Sequence, residues 1–303
     1  MKNLIKLAIA AALLLFLFHE VDAARVWQTI ERASLPLLAA ALLMQLFSQT
    51  VAAFRWKLIM DRLDFPHGFG FYLRSYFKGA LFNQVLPTSI GGDAYRVAEV
   101  HAHGAPLKEA FYAIFIDRIM GLIGLILLNI LAVAWAPKDL FPAVLLYTLI
   151  TVTLAALVGF FTLLWLHRVQ TLRRWTLTRL LAELSERFHR VYRRPRDMAL
   201  QVGLSLLTHL LGMFTVFGIG HAVGIDEPIG FYLALTPPAI LLTVLPITFA
   251  GWGVREGALI ALFRLIGTPE PTALAMSVLY GMMLILAALP GVYFYLTSRH
   301  RWL

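Results

Sequence analysis

The chain has 303 residues, 60% of them hydrophobic and only 14% charged, with no cysteine and a formal net charge of +9. That balance excludes a soluble globular domain and indicates an all-α polytopic membrane protein. The missing cysteines exclude disulfides, thiolate metal sites and cysteine nucleophiles.

Lys2 and Lys6 precede an apolar run that predicts a first helix from about Leu4 to Phe18. The alternative is a cleaved signal peptide, because Val21-Asp22-Ala23 would pass as a processing site; a retained helix fits the apolar remainder of the chain better. A second span is predicted from about Leu35 to Phe54, stopped by Arg55, Lys57 and Arg62, with Arg55-Trp56 read as an interfacial anchor. Residues 69–99 carry the first of two related motifs, and His101, His103 and Lys108 follow it. Spans are then expected at about Ala110–Trp135 and Ala143–Leu166, joined by the short turn APKDLFP. Nine arginines fall between Arg168 and Arg196, which marks a cytoplasmic loop whose segment from Arg173 to Tyr192 can form a cationic surface helix. This placement of positive charge beside apolar segments argues against nucleic acid as a partner. Met198–Val223 crosses to the acidic turn GIDEP, residues 231–266 carry the second motif and close at GTPEP, and Thr272–Thr297 returns. Arg299 and Arg301, with the N-terminal lysines, place both termini in the cytoplasm and the protein in the cytoplasmic (inner) membrane.

The two motifs are VLPTSIGGDAYR and VLPITFAGWGVR. In each, a hydroxyl residue (Ser89, Thr248) lies two positions after the proline (Pro87, Pro246), a glycine (Gly92, Gly251) five and an arginine (Arg96, Arg255) nine. Proline breaks a helix and glycine permits unwound backbone, which at membrane depth is tolerated only inside protein or around a watery cavity. One motif is flanked by charge assigned to the inside and the other by turns assigned to the outside, as an inverted repeat requires. The expectation is six full transmembrane helices plus two re-entrant hairpins, with eight spanning helices as the alternative. The halves are drawn at 55–167, with motif 83–99, and 198–298, with motif 244–257, about a basic loop at 168–197.

An ionised side chain at the bilayer centre costs at least about 2.5–3.5 kcal/mol, so Asp93, Arg96, Glu99, Arg255 and Glu256 are not expected to face lipid. Asp93 directly follows Gly91-Gly92 and is expected to cap the half-helix beginning there. Its free N–H groups and Arg96 would then suit phosphate, with Arg255 completing the site from the other half. The competing reading of the motif is a proline-kinked packing helix with small residues at a crossing; for Asp93 with Arg96 it is an intramembrane structural salt bridge, which is compatible with the site. Asp117-Arg118 adds a charged pair, read as partly interfacial, and Asn83 is a candidate polar ligand. No ATP-binding loop, HExxH or GxSxG pattern occurs, so no cofactor, metal or catalytic residue is predicted.

The stretches FNQVLPTSIGGDAYRVAEV, DRIMGL and PITFAGWGVREG together resemble the flippase-like family formed by the transmembrane region of lysylphosphatidylglycerol synthases and stand-alone membrane proteins. The resemblance runs over about residues 5–298. It implies a multi-helix inner-membrane protein associated with moving a modified phospholipid between leaflets. Its Asn-x-x-x-Pro and Gly-Gly-Asp-x-x-Arg elements fall on Asn83, Pro87, Gly91, Gly92, Asp93 and Arg96. Its acid–Arg pair falls on Asp117 and Arg118, and its Gly-x-Gly-x-Arg-Glu element on Gly251, Gly253, Arg255 and Glu256. The sequence departs from the synthases in ending after its last helix, without their soluble aminoacyl-transferring domain. The function expected is a non-enzymatic lipid translocase for an anionic or phosphate-bearing headgroup. The alternatives are a membrane enzyme or accessory subunit acting on a lipid-linked sugar or phospholipid headgroup, and a scaffold that recruits a glycosyltransferase or other lipid-modifying enzyme.

Overall fold

The computed structural model describes residues 17, 21–86, 91–137, 139–169, 176–243 and 251–298. The predicted first span (apart from Leu17), the motif residues Pro87, Ser89, Pro246 and Thr248, and the basic residues Arg173, Arg174, Arg299 and Arg301 lie outside them. All regular structure described is helical: α1 (Ala23–Glu31), α2 (Leu35–Arg62), α3 (Phe69–Val85), α4 (Gly91–Ala102), α5 (Leu107–Trp135) and α6 (Ala143–Trp165). There follow α7 (Thr176–Val191), α8 (Pro195–Ala222), α9 (Ile229–Thr243), α10 (Val254–Arg264), α11 (Glu270–Ala288) and α12 (Pro290–Thr297). Among the described residues, five helical stretches are long and apolar enough to cross a bilayer: α2, α5, α6 with the turn after it, α8, and α11 with α12. Proline marks the starts of several, at Pro36 in α2, Pro195 in α8 and Pro271 in α11, where its missing N–H has no helical acceptor to lose.

Helices α3, α4, α9 and α10 have 17, 12, 15 and 11 residues. At 1.5 Å per residue each reaches only about 16–26 Å, short of a hydrocarbon core of about 30 Å. They form two hairpins whose ends return to the side they left. The rings of Phe71, in the first turn of α3, and His103, just past the end of α4, lie 4.9 Å apart. In the second hairpin Tyr232 and Phe263 are 5.2 Å apart. The hairpins are therefore re-entrant, in agreement with the sequence reading and against eight full spans.

The two halves meet along α2 and α8. Ser34 N donates to Ala222 O, Ser48 Oγ to Thr208 O, and Gln201 Nε2 to Arg55 O, while Arg62 pairs with Asp197. Partner numbers fall as α2 numbers rise, so the two helices are antiparallel. A second correspondence fits a repeat. The tetrapeptide GFYL occurs at 70–73 and again at 230–233, and each tyrosine donates to a carbonyl seven residues back: Tyr72 to Phe65 O at 2.5 Å and Tyr232 to Ile225 O at 3.0 Å. The shift of 160 that carries Gly70 onto Gly230 also carries Ser48 onto Thr208, the pair in contact at the middle of α2 and α8. A pseudo-two-fold axis thus passes between these residues, perpendicular to two spanning helices and so parallel to the membrane plane. The correspondence includes α2 from Leu35, twenty residues before the boundary read from the motifs.

Helix α7 is the predicted amphipathic element of the arginine-rich stretch. It buries Leu184, Phe188 and Val191, and its polar side is tied to α5, with Tyr112 donating to Glu183 at 3.1 Å and Arg187 forking onto Glu109. Burial opposes the Glu183 charge, yet the Tyr112 hydroxyl with Lys108, Arg187 and Arg179 holds its carboxyl below the ordinary value. A depressed carboxylate stabilises the docked helix at neutral pH and ceases to do so as the pH falls through its folded value. Because the chain has no cysteine, a fluorophore on Leu180→Cys reports on this helix alone. Its emission should shift when the pH falls from 7 to below 4, and Glu183→Gln should remove most of the shift. An unchanged spectrum would show that this carboxylate does not hold the helix.

Candidate functional site

The first hairpin is built around a glycine contact. A Cβ on Gly92 would lie 1.9 Å from the carbonyl oxygen of Gly79, so α3 and α4 touch backbone to backbone there. Asn83 Oδ1 accepts the Gly92 N–H at 2.8 Å, and this amide, not Asp93, satisfies the start of α4. Asp93 instead faces two cations. Its oxygens accept from Arg118 Nε at 2.7 Å and from Arg96 Nη1 at 3.3 Å. Arg96 Nη2 reaches Asp117 at 3.2 Å, and Asp117 also takes Arg55 Nε at 2.9 Å. Three arginines and two aspartates make one chain, Arg118–Asp93–Arg96–Asp117–Arg55, with one positive charge in surplus. Arg96 stacks over Trp56 and Tyr76, at 4.0 and 4.7 Å from the ring centres, which holds the guanidinium in place at little entropic expense.

Two sequence-based expectations change here. Arg55 and Trp56 are not an interfacial anchor: they are 5% and 0% exposed, and Arg55 also donates to Ser205 Oγ at 2.9 Å. Gly121 makes room for that guanidinium, a Cβ there lying 3.4 Å from Arg55 Nη2. Asp117 is not interfacial either. It is 2% exposed and stands ten residues into α5, about 15 Å along the helix from the charged first turn that is tied to α7.

Beside the chain of charges lies a polar cavity of about 180 Å³, lined by Gln49, Tyr76, Asn83, Arg96, Arg118 and Leu284 among others. Gln49 adjoins Ser48 at the two-fold axis, which sets the cavity at mid-depth on the repeat interface. Arg96 Nε and Gln49 Oε1 are buried there without a hydrogen-bond partner among the described residues. The Arg118 side chain is 54% exposed. An unpaired guanidinium donor on Arg96 and the surplus charge of Arg118 at a half-open cavity suit an anionic, oxygen-rich group, and the Gln49 oxygen is left to accept from a donor on the same ligand. Gly91 packs against Leu86 behind the site, where a Cβ would come within 2.7 Å of that side chain.

The second motif is closed. Gly251 and Gly253 have φ of +79° and +86°, a backbone only glycine adopts readily. Glu256 caps α10 by accepting from Gly253 N at 2.6 Å, and it takes Arg255 Nε at 3.0 Å and Ser277 Oγ at 3.3 Å. Arg255 is enclosed by Trp252 and Tyr280, and both charged residues are at most 3% exposed. Arg255 therefore does not join Arg96, and neither Arg255 nor Glu256 lines the polar cavity. In the first half the arginine finds acids on α4 and α5; in the second it finds the glutamate next to it. Glu99 also stays apart, pairing with buried Lys78, which contacts Ser298 Oγ at 3.2 Å.

The family model for the lysylphosphatidylglycerol synthase TM region matches residues 3–291 of this chain. The chain belongs to that family. No curated protein matches it. Membership in the lysylphosphatidylglycerol synthase TM region family agrees with the multi-pass helical fold and links the chain to membrane-lipid headgroup chemistry. The Gly-Gly-Asp-x-x-Arg and Asp-Arg elements are the ones that the tertiary structure joins into one cluster, with Asn83 beside them. The Gly-x-Gly-x-Arg-Glu element forms a separate, neutral Arg255–Glu256 pair in the second half. Arg55, Gln49 and Tyr76 were missed by motif reading. The signal for Gln49 and Arg55 was present in α2 as polar residues at helical spacing, Gln45, Ser48, Gln49 and Arg55, in an otherwise apolar span; Tyr76 on α3 had no such signal.

Proposed function

We propose that the protein is a lipid translocase that passes an anionic or phosphate-bearing headgroup across the cytoplasmic membrane through the mid-depth cavity, without chemical conversion. The observation that carries this reading is the surplus arginine charge beside buried, unpartnered polar atoms at the repeat interface. A charged headgroup alone in hydrocarbon would cost on the order of tens of kcal/mol. Arg118 and Arg96, with the amides of Gln49 and Asn83, offer substitute solvation while the acyl tails stay in lipid. The inverted repeat supplies the motion, a rocking of one half against the other that opens the cavity to alternate leaflets. Movement is downhill or coupled to an ion. Asp93 bridges the two cavity arginines, so protonating it would release Arg118, whereas Glu256 is sealed at 0% exposure.

The test uses Arg118→Gln, because this half-exposed side chain can be changed without stranding a buried charge. In proteoliposomes carrying fluorescent phospholipids with anionic and neutral headgroups, the wild type should transfer the anionic lipid between leaflets. The variant should be at least about tenfold slower, the loss expected for one charge-assisted contact. Equal rates for both proteins, or transfer indifferent to headgroup charge, would overturn the proposal.

A further inference from the structure

A second polar site lies at the opposite end of α8 from the acidic turn, away from the mid-depth cavity. Here α7 hands over to α8 through Tyr192, Arg193, Arg194 and Pro195, beside the end of α2. Two adjoining cavities of about 480 and 500 Å³ share Arg62, Arg194 and Asp197 in their walls. Six cations gather here: Lys57, Arg62, Arg190, Arg193, Arg194 and Arg196. Three acids answer them, in the pairs Lys57–Asp61, Arg62–Asp197 and Arg190–Asp64. Arg193, Arg194 and Arg196 are exposed and have no ion-pair partner among the described residues.

The floor of the first cavity supplies an independent observation. Gln201 is 3% exposed and donates its Nε2 to Arg55 O, yet its Oε1 has no partner, and Asp61 Oδ1 is buried without one as well. Both residues line the cavity, with Leu58 and Leu200 on its apolar side. A ligand that satisfies this wall must present anionic oxygens to the arginines and hydrogen-bond donors to the two orphan acceptors. With three positive charges in surplus, a neutral hydroxyl is the fitting donor and an ammonium is not. Leu200, 47% exposed, continues the wall toward hydrocarbon, where a soluble ion would gain nothing.

We infer that this pocket binds the headgroup of a second, resident lipid: a phosphate diester bearing free hydroxyls, held by Arg193, Arg194 and Arg196 and oriented by Gln201 and Asp61. It is separate from the translocation cavity and does not depend on it.

Binding is measured on the full-length protein in detergent by native mass spectrometry, in an Arg118→Gln background so that the mid-depth cavity contributes little. The probes are dioctanoyl phosphatidylglycerol, phosphatidic acid and phosphatidylcholine, with glycerol 1-phosphate as the soluble counterpart. Phosphatidylglycerol should bind at least about tenfold more tightly than phosphatidylcholine. The exposed triple change Arg193→Gln, Arg194→Gln, Arg196→Gln should weaken it at least about tenfold without lowering the melting temperature. The charge-matched control Arg74→Gln, Lys108→Gln, Arg179→Gln should leave it within about twofold. Gln201→Met should erase the preference for phosphatidylglycerol over phosphatidic acid. Equal binding by the triple variant, equal weakening by the control, retained preference in Gln201→Met, or glycerol 1-phosphate binding as tightly as the lipid would each overturn the inference.

Discussion

Asp117→Ala should destabilise the protein by about 3–5 kcal/mol, enough to leave little folded material in detergent. Its carboxylate is the only acid that contacts Arg55 among the described residues, and one of two that contact Arg96. Both guanidiniums are at most 5% exposed, so the substitution strands charge at the depth where it is most costly. Asp93 cannot compensate, because it is already shared between Arg96 and Arg118. The control is to remove the whole triad as Arg55→Met, Arg96→Met, Asp117→Leu. Apolar replacement of buried ion-paired groups is often close to neutral, and the remaining Asp93 keeps Arg118 as its partner, so this variant should recover most of the melting temperature while failing to transfer lipid. The measurement is thermal unfolding followed by tryptophan fluorescence. A single Asp117→Ala variant as stable as wild type would show that the three groups are not paired in the membrane.

Gly92→Ala should be nearly as damaging, at about 3 kcal/mol or more. The added methyl would stand 1.9 Å from Gly79 O and 2.8 Å from Asn83 Cγ. A backbone carbonyl cannot swing aside as a side chain can, so α3 and α4 must separate and the bond from Gly92 N to Asn83 is lost. Gly70→Ala, on the same hairpin but with nothing within 4 Å of the new methyl, should change stability by no more than about 0.5 kcal/mol. Equal melting temperatures for the two variants would mean that the hairpin is not closed at this contact.

How far the site was legible follows from the range of the interactions that build it. Asn83, Gly92, Asp93 and Arg96 lie within 14 positions of one another, and their cost in apolar sequence exposes them. Asp117-Arg118 is equally conspicuous, though its depth became clear only once α5 was seen to start at Leu107. Arg55 was misread because a lone arginine near a helix end is ordinarily an anchor, and its partners are 62 and 150 residues away. Arg255 was misplaced for the opposite reason. Motif symmetry suggested a shared cavity, but the adjacent Glu256 neutralises it locally. The GFYL repeat, which extends the duplication to α2, is hard to tell from background because aromatic residues are common in apolar sequence.

Composition, helix length and the placement of proline and charge were enough, by themselves, to determine a helical multi-pass membrane protein, and they left re-entrant hairpins and full helix pairs open for the two motif regions. Those features follow from the bilayer, which charges each buried polar group and each unpaired backbone group a price readable residue by residue. The tertiary structure alone decided which charges meet. Ion pairing across α2, α4, α5 and α8 depends on contacts far apart in the chain, and those gather three arginines, two aspartates and an open cavity in one half. In the other half the same motif closes on its own neighbouring glutamate.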